Sequence, residues 1–257
     1  MTGVHEFDRK SIHEIEKMTI YDKQAYISQL REYYVKLPFD KTKLLRCERI
    51  HKILVHIIGR VILWGIKIDV RGNEKFPINQ NVVFVCNHKR AFDIPLMHIV
   101  LKNRMPHFLI KKECESGMWG GILRNIGTIF VQRENKKSCE EAISMLIHNL
   151  VHGEDIVIFP EGTRNRTQQL LLPLKKGAVY VSQVSQKPVV PIAIKKYGRK
   201  YEVIDADKLG MAAIDDSCVE YFTPMLFYTM TTVYRTALQD KRRHPLDMRR
   251  YMGVVEY

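Results

Sequence analysis

No stretch of this 257-residue sequence runs uncharged for the roughly 20 residues that a membrane-spanning helix requires. The best candidate, ILVHIIGRVILWGIKIDV (53–70), is interrupted by His56, Arg60 and Lys67, so an integral membrane protein is not expected. The opening residues, MTGVHEFDRKSIHE, are charged where a secretory signal needs an apolar core, and secretion is not expected either. Cysteine is sparse and unpatterned. Cys47, Cys86, Cys114, Cys139 and Cys218 are odd in number and show no C-x-x-C spacing. That argues against a zinc site or a disulfide framework and fits a reducing compartment. There is no internal repeat and no low-complexity linker. The remaining shortage is of acid: 28 Asp and Glu stand against 41 Lys and Arg, a net charge of +13. Such an excess favours an anionic partner, whether nucleic acid, an anionic membrane surface or a phosphorylated substrate.

What is present is a folding composition, 46% hydrophobic and 27% charged, in a chain long enough for one large domain with an appendage. The positive charge is concentrated. Residues 1–40 carry six Lys or Arg against seven acids, whereas residues 41–67 carry seven against Glu48 alone. The first 67 residues have helical spacing. Ser11 with Glu14 makes a capping-box pattern, AYISQLREYYV (25–35) continues it, and Pro38 breaks it. In the following helix Ile50, Ile53, Leu54, Ile57, Ile58 and Val61 form one face, while Arg49, Lys52, His56 and Arg60 share the other. Such a helix either docks on its own core with a solvated basic face or lies in a membrane interface. Trp64 and the cations Arg49, Lys52 and Arg60 favour the interface. The expected organisation is a helical membrane-interface segment over 1–67 and an α/β domain over 68–257.

From residue 68 the pattern changes to short β-branched runs alternating with helices. The candidate strands are NVVFVC (81–86), HFLI (107–110), TIFVQ (128–132), DIVIFP (155–160), VVPIAI (189–194) and YEVID (201–205). Ser138 and Glu141 make a second capping-box pattern between two of them. The alternation predicts an α/β fold, a mostly parallel mixed sheet flanked by helices and preceded by an N-terminal helical pair. The basic cluster Lys241, Arg242 and Arg243, with Arg249 and Arg250, has the character of a solvated tail.

One stretch has chemical potential. In VVFVCNHKRAFDIPL (82–96) a buried strand ends at His88, and Asp93 follows as a helix begins. The carboxyl ends of strands in open α/β sheets are where crevices form. A neutral imidazole there accepts a proton from a hydroxyl if a carboxylate holds its other ring N–H. Five residues of ideal helix would not align the two side chains, so the pairing requires the chain to turn back. Alone, H-x-x-x-x-D is weak, and His88 as a cap with Asp93 as a structural hydrogen-bonder serves as well.

The pair has company: NHKRAFD (87–93), IKKE (110–113), GTIFVQR (127–133), FPEGTR (159–164) and VVPIAI (189–194). In this order and spacing they resemble the blocks of the glycerolipid acyltransferase family, the lysophosphatidate (1-acylglycerol-3-phosphate) acyltransferases. Those blocks are N-H-x-x-x-x-D, G-x-x-F-x-x-R, F-P-E-G-T-R and an apolar strand with proline. All are present without substitution at their defining positions, over roughly residues 70 to 200. The first 67 residues and the last fifty or so lie outside the resemblance, although some members carry an N-terminal helical pair that rests on the membrane.

The resemblance implies transfer of a fatty acyl group from acyl-CoA or acyl-acyl carrier protein to the free hydroxyl of a lysophospholipid, giving phosphatidic acid in phospholipid biosynthesis. His88 would be the general base and Asp93 its orienting partner, with the acceptor alcohol itself the nucleophile. Cys86, two residues before His88, reads as a packed core residue. Lys111 aligns with a lysine near the family's reaction centre, with Lys112 as the alternative register. Backbone N–H groups around Gly162 would be the other candidate oxyanion donors. Arg133 and Arg164 would clamp phosphate through their planar forks. Glu161 would pair with an arginine, hold the acceptor's hydroxyl, or only shape its loop. Thr163 and Phe130 are supporting residues, and Pro191 shapes its strand. No metal and no tightly bound cofactor is expected. The partners are the acyl donor, the lysolipid and an anionic membrane surface, reached peripherally from the cytoplasmic face.

Other classes remain open. A nucleic-acid-binding protein would explain the charge, but no basic–aromatic or zinc motif accompanies it. A thioesterase would use His88 to activate water. Glycerol 3-phosphate and lysophosphatidylglycerol are alternative acceptors.

Overall fold

The run from Val82 to Cys86 is apolar on both faces of an extended chain, which requires cover on both sides. In the computed structural model it has that cover. The structure describes residues 10, 14–15, 17–39, 57, 61, 64–71, 80–101, 104–117, 120–169, 171–197 and 200–205. In chain order these hold α1 (Ile20–Lys36), β1 (Lys67–Arg71), β2 (Val83–Cys86), α2 (Asp93–Val100), β3 (His107–Lys111), α3 (Gly120–Asn125), β4 (Ile129–Val131), α4 (Lys136–Val151), β5 (Ile156–Ile158), α5 (Gly177–Ser185), β6 (Val189–Tyr197) and β7 (Lys200–Asp205). A short 3₁₀ turn, Lys112–Cys114, follows β3.

The strands form one sheet in the order β1-β7-β6-β2-β5-β3-β4. Every neighbouring pair is parallel except β6 with β7, which run antiparallel as a hairpin. The sheet is thus mostly parallel and mixed at one end, the fold class that the strand–helix alternation indicates. Side chains alternate across it. Val83, Val85, Ile156, Ile158 and Val189 pack with Leu146, Ile147, Leu150, Val181 and Val184 of α4 and α5. Phe84, Cys86, Phe108, Val157, Val190 and Ile192 pack with Leu96, Met97 and Val100 of α2.

The N-terminal helix α1 is docked on this body. Tyr26, Ile27, Leu30 and Tyr34 join the α4–α5 core, and Tyr34 Oη donates to Ser144 Oγ at 2.9 Å. Burying each such side chain contributes about 1.5–3 kcal/mol. The helix ends at Lys36, with Leu37 extended before Pro38, because the residue preceding a proline is pushed out of the helical region.

Three local features differ from the sequence reading. β1 has no counterpart among the candidate strands: KIDVR follows directly on an amphipathic helical pattern, and its strand nature depends on pairing with β7, 130 or so residues away. The cap of α4 is Asn135, whose side chain accepts from Ser138 N–H. Ser138 is instead in the first turn, its hydroxyl accepting from Gln132 N–H at 3.0 Å. Thr19 caps α1, its hydroxyl oxygen accepting from Asp22 N–H; Ser11 lies outside the described residues. Arg49, Lys52 and Arg60 also lie outside them. Ile57, Val61 and Trp64 are described and exposed, Trp64 to 90%. No helix among the described residues is long and apolar enough to cross a membrane.

Candidate active site

The carboxyl ends of β2, β5, β3 and β4 lie side by side along one edge of the sheet, and each leads into a block singled out above. His88 follows β2 by two residues, Pro160 to Arg164 follow β5, Lys111 closes β3, and Arg133 follows β4 by two.

The chain does turn back after His88. Residues 90–92 bend before α2 begins at Asp93, and Asp93 N–H donates to Arg90 O at 3.2 Å. This brings Asp93 Oδ2 to 2.8 Å from His88 Nδ1. The same oxygen accepts the backbone N–H groups of Lys89 and Arg90, each at 2.8 Å. Asp93 is almost wholly buried, at the first turn of a helix whose free N–H groups favour a negative charge. Its carboxylate therefore acts as an acceptor, which assigns the His88 proton to Nδ1 and leaves Nε2 with its lone pair. The Phe159 ring stacks on the imidazole with centroids 4.2 Å apart and planes inclined by 24°.

Two further contacts fix the turn. Asn87, buried at the end of β2, continues the strand pairing with its side chain. Its Nδ2 donates to Ile194 O at 3.0 Å, and its Oδ1 accepts from Ile194 N–H at 2.6 Å. On the other side Glu161 Oε1 accepts His88 N–H at 2.8 Å, and Glu161 Oε2 accepts Leu172 N–H at 2.8 Å. Burial raises the Glu161 pKa, opposed by those two amides and by the Lys89 charge. Of the roles considered for Glu161, the structure displays the shaping of the loop: both oxygens are occupied by main chain.

Gly162 adopts φ +66°, a left-handed conformation that glycine enters without penalty. A Cβ there would stand 3.4 Å from Lys175 Cγ, so the lysine stem lies against the glycine. Thr163 and Arg164 are exposed beside it. Lys111 is exposed at the end of β3, whereas Lys112 is engaged by Glu115 at 2.5 Å. Arg133 is half-buried; burial lowers its pKa, with Glu113 and Glu134 opposing. Cys86 is fully buried, and burial, then Asp93 and Glu161, push its thiol well above the usual value. A thiol held protonated in this way is a poor nucleophile.

The structure thus joins His88, Asp93 and Glu161 by direct contact. Lys111 and Arg133 share the sheet edge with the histidine, but Lys111 lies beyond β5 and Arg133 beyond β5 and β3. At about 4.8 Å per strand, the ends of β2 and β4 are roughly 14 Å apart. Sequence reasoning missed the roles of Asn87, Phe159 and Asn165, whose N–H donates to His88 O at 2.7 Å. Asn87 and Phe159 are letters of the motifs themselves, but nothing local reveals what they touch.

The family described as Acyltransferase matches residues 67–195, half of the chain. Human 1-acyl-sn-glycerol-3-phosphate acyltransferase alpha is 33% identical over 146 residues, 56% of this chain and 50% of that protein. The chain spans about half the length of this relative and of its bovine counterpart. The 1-acyl-sn-glycerol-3-phosphate acyltransferase of Bacillus subtilis (strain 168) is 31% identical over 166 residues, 64% of this chain and 77% of that one. In fold, the chain is similar to the crystal structure of the 1-acyl-sn-glycerophosphate (LPA) acyltransferase PlsC from Thermotoga maritima. The TM-score is 0.60, at 20% identity, over 91% of this chain and 98% of that one. This chain belongs to the acyltransferase family of which the 1-acyl-sn-glycerol-3-phosphate acyltransferases are members.

Proposed function

We propose that the protein transfers a fatty acyl group from an acyl thioester, acyl-CoA or acyl-acyl carrier protein, to the free hydroxyl of 1-acyl-sn-glycerol 3-phosphate. The observation that carries this reading is the 2.8 Å contact between His88 Nδ1 and Asp93 Oδ2 at the strand edge. It leaves Nε2 free to take the acceptor's hydroxyl proton as the oxygen attacks the thioester carbonyl. The tetrahedral intermediate then collapses, expelling the thiolate, which takes the proton back from His88 and leaves as free thiol. General-base assistance of this kind is worth about 10²- to 10⁴-fold. Lys111 and the backbone N–H groups near Gly162 are the donors proposed for the oxyanion.

Arg164, on the loop after β5, and Arg133, beyond β3, are proposed to hold the acceptor's phosphate, with Thr163 beside them. The names of the relatives support a lysophosphatidate acceptor. No tightly bound cofactor is part of this scheme. We place the protein peripherally on the cytoplasmic face of an anionic membrane, through the segment that carries Arg49, Lys52, Arg60 and Trp64. The exposure of Ile57, Val61 and Trp64, spaced to share one side of a helix, supports that placement.

The test is an assay of the purified chain with labelled acyl-CoA and acyl-acyl carrier protein against lysophosphatidate, glycerol 3-phosphate and lysophosphatidylglycerol, with products identified by mass spectrometry. Phosphatidic acid formed only with lysophosphatidate is the expected result. Thioester cleavage at the same rate without any acceptor would identify a thioesterase instead.

A further inference from the structure

The N-H-x-x-x-x-D pattern leaves open the position after the histidine, and here it is filled by a lysine. Lys89 is half-buried, and it is used from both ends. Its backbone N–H donates to Asp93 Oδ2 at 2.8 Å. Its side chain crosses to the loop after β5, where Nζ donates to Thr167 O at 3.2 Å and to Gln169 O. A lysine ammonium is ordinarily left in water because burying it without partners is costly. Burial does lower the pKa of Lys89, and the charge of Glu161 resists that shift.

The loop it reaches is tied to the catalytic turn at both of its ends. Asn165 N–H donates to His88 O at 2.7 Å, and Leu172 N–H donates to Glu161, which also holds His88 N–H. Between those ties Asn165 organises the turn. Its Oδ1 accepts from Thr167 N–H at 3.0 Å and from the Thr167 hydroxyl at 2.7 Å, and its Nδ2 donates to Gln169 O at 3.0 Å. Lys89 adds a cation that reaches the middle of the loop. Arg164 immediately precedes the Asn165 anchor, so the direction of its side chain follows the seating of the loop.

We propose that Lys89 is a positioning residue that clasps the 165–172 loop onto the catalytic turn and so sets the affinity for the phosphorylated acceptor through Arg164. The proposal rests on the acyltransferase reading for its substrate, but the clasp itself is measurable without it.

The experiment uses the full chain with lysophosphatidate in mixed micelles and an acyl thioester donor. Replacing Lys89→Met, which keeps the stem and removes the charge and donors, is expected to raise the acceptor KM about ten-fold while kcat stays within about two-fold. Lys89→Arg, which keeps a cation with several donors, is expected to bring KM back to within about three-fold of the parent. Hydrogen exchange read in the same proteins should show faster exchange of the Asn165 and Leu172 amides in Lys89→Met than in the parent. Parent-like KM with parent-like exchange overturns the proposal. A fall in kcat at unchanged KM, or a lowered unfolding midpoint with unchanged KM, also overturns it, since either makes Lys89 something other than a loop-seating residue. Should Lys89→Met fail to fold, Lys89→Gln carries the same comparison. If the parent transfers no acyl group to lysophosphatidate, the acyltransferase reading fails, and exchange at Asn165 and Leu172 alone decides the clasp.

Discussion

Glu161 accepts the backbone N–H of His88 at 2.8 Å with one carboxylate oxygen and that of Leu172 at 2.8 Å with the other. A buried carboxylate is thus the hinge pin between the His88 turn and the loop carrying Thr163 and Arg164. Its pKa is raised above the ordinary 4.5, chiefly by burial, so the folded chain holds this proton more tightly than the unfolded chain does. Stability from a raised carboxyl is present in full below the unfolded value and is lost as pH rises through the folded one. We therefore expect the urea midpoint of the parent, measured relative to Glu161→Gln, to decline as pH rises above 4.5. A difference between the two proteins that is flat or rises with pH would contradict the buried-carboxylate account.

The His88–Asp93 pair is tested by substitution. His88→Ala should lower transfer by about 10²- to 10⁴-fold with the circular dichroism spectrum unchanged, because it removes the proposed base and little of the core. Asp93→Asn should lower kcat heavily too: its amide can present N–H toward Nδ1 and reverse the imidazole's tautomer. Near-normal turnover by His88→Ala would exclude the proposed chemistry.

The arginines should separate binding from chemistry. Arg133→Lys and Arg164→Lys are each expected to raise the acceptor KM by about ten-fold, since an ammonium cannot reproduce the planar fork, with the KM for the acyl donor little changed. The check is a second acceptor, a monoacylglycerol lacking phosphate. Equal losses toward both acceptors would remove the phosphate assignment.

The proposed membrane contact is tested at Arg49, Lys52 and Arg60, replaced together by Gln. Each cation near an anionic surface is worth about 1 kcal/mol, so the triple variant should lose roughly two decades in partitioning to anionic liposomes. Activity on bilayer substrate should fall while activity on detergent-dispersed substrate persists. Sedimentation with liposomes equal to that of the parent, at low and high salt alike, would mean that the apolar face is packed on the protein itself.

Much of this could be read in the chain because the relevant physics is short-ranged. The apolar run Val82–Cys86 declares a strand covered on both faces, and the alternation of such runs with amphipathic helices declares a parallel sheet. His88 and Asp93 are five residues apart, close enough for motif and turn to announce them together. The strand Lys67–Arg71 was not legible, because KIDVR owes its extended form to β7 and not to its own propensities.

By itself the sequence determined the fold class, the family blocks and the identity of the candidate base and its partner. Tertiary structure alone decided that α1 docks on the sheet's helical layer and that Asn87 completes the pairing of β2 with β6 across 107 residues. It also decided that Phe159 covers the histidine ring, and that Glu161 and Lys89 spend their charges on the backbone of neighbouring loops. The His88 amide held by Glu161, the Thr167 carbonyl held by Lys89 and the Ile194 backbone held by Asn87 each lie more than seventy residues away in sequence. A charged side chain's role is set by the acceptors and donors that burial places within about 3 Å of it, and the local pattern of a sequence carries no record of them.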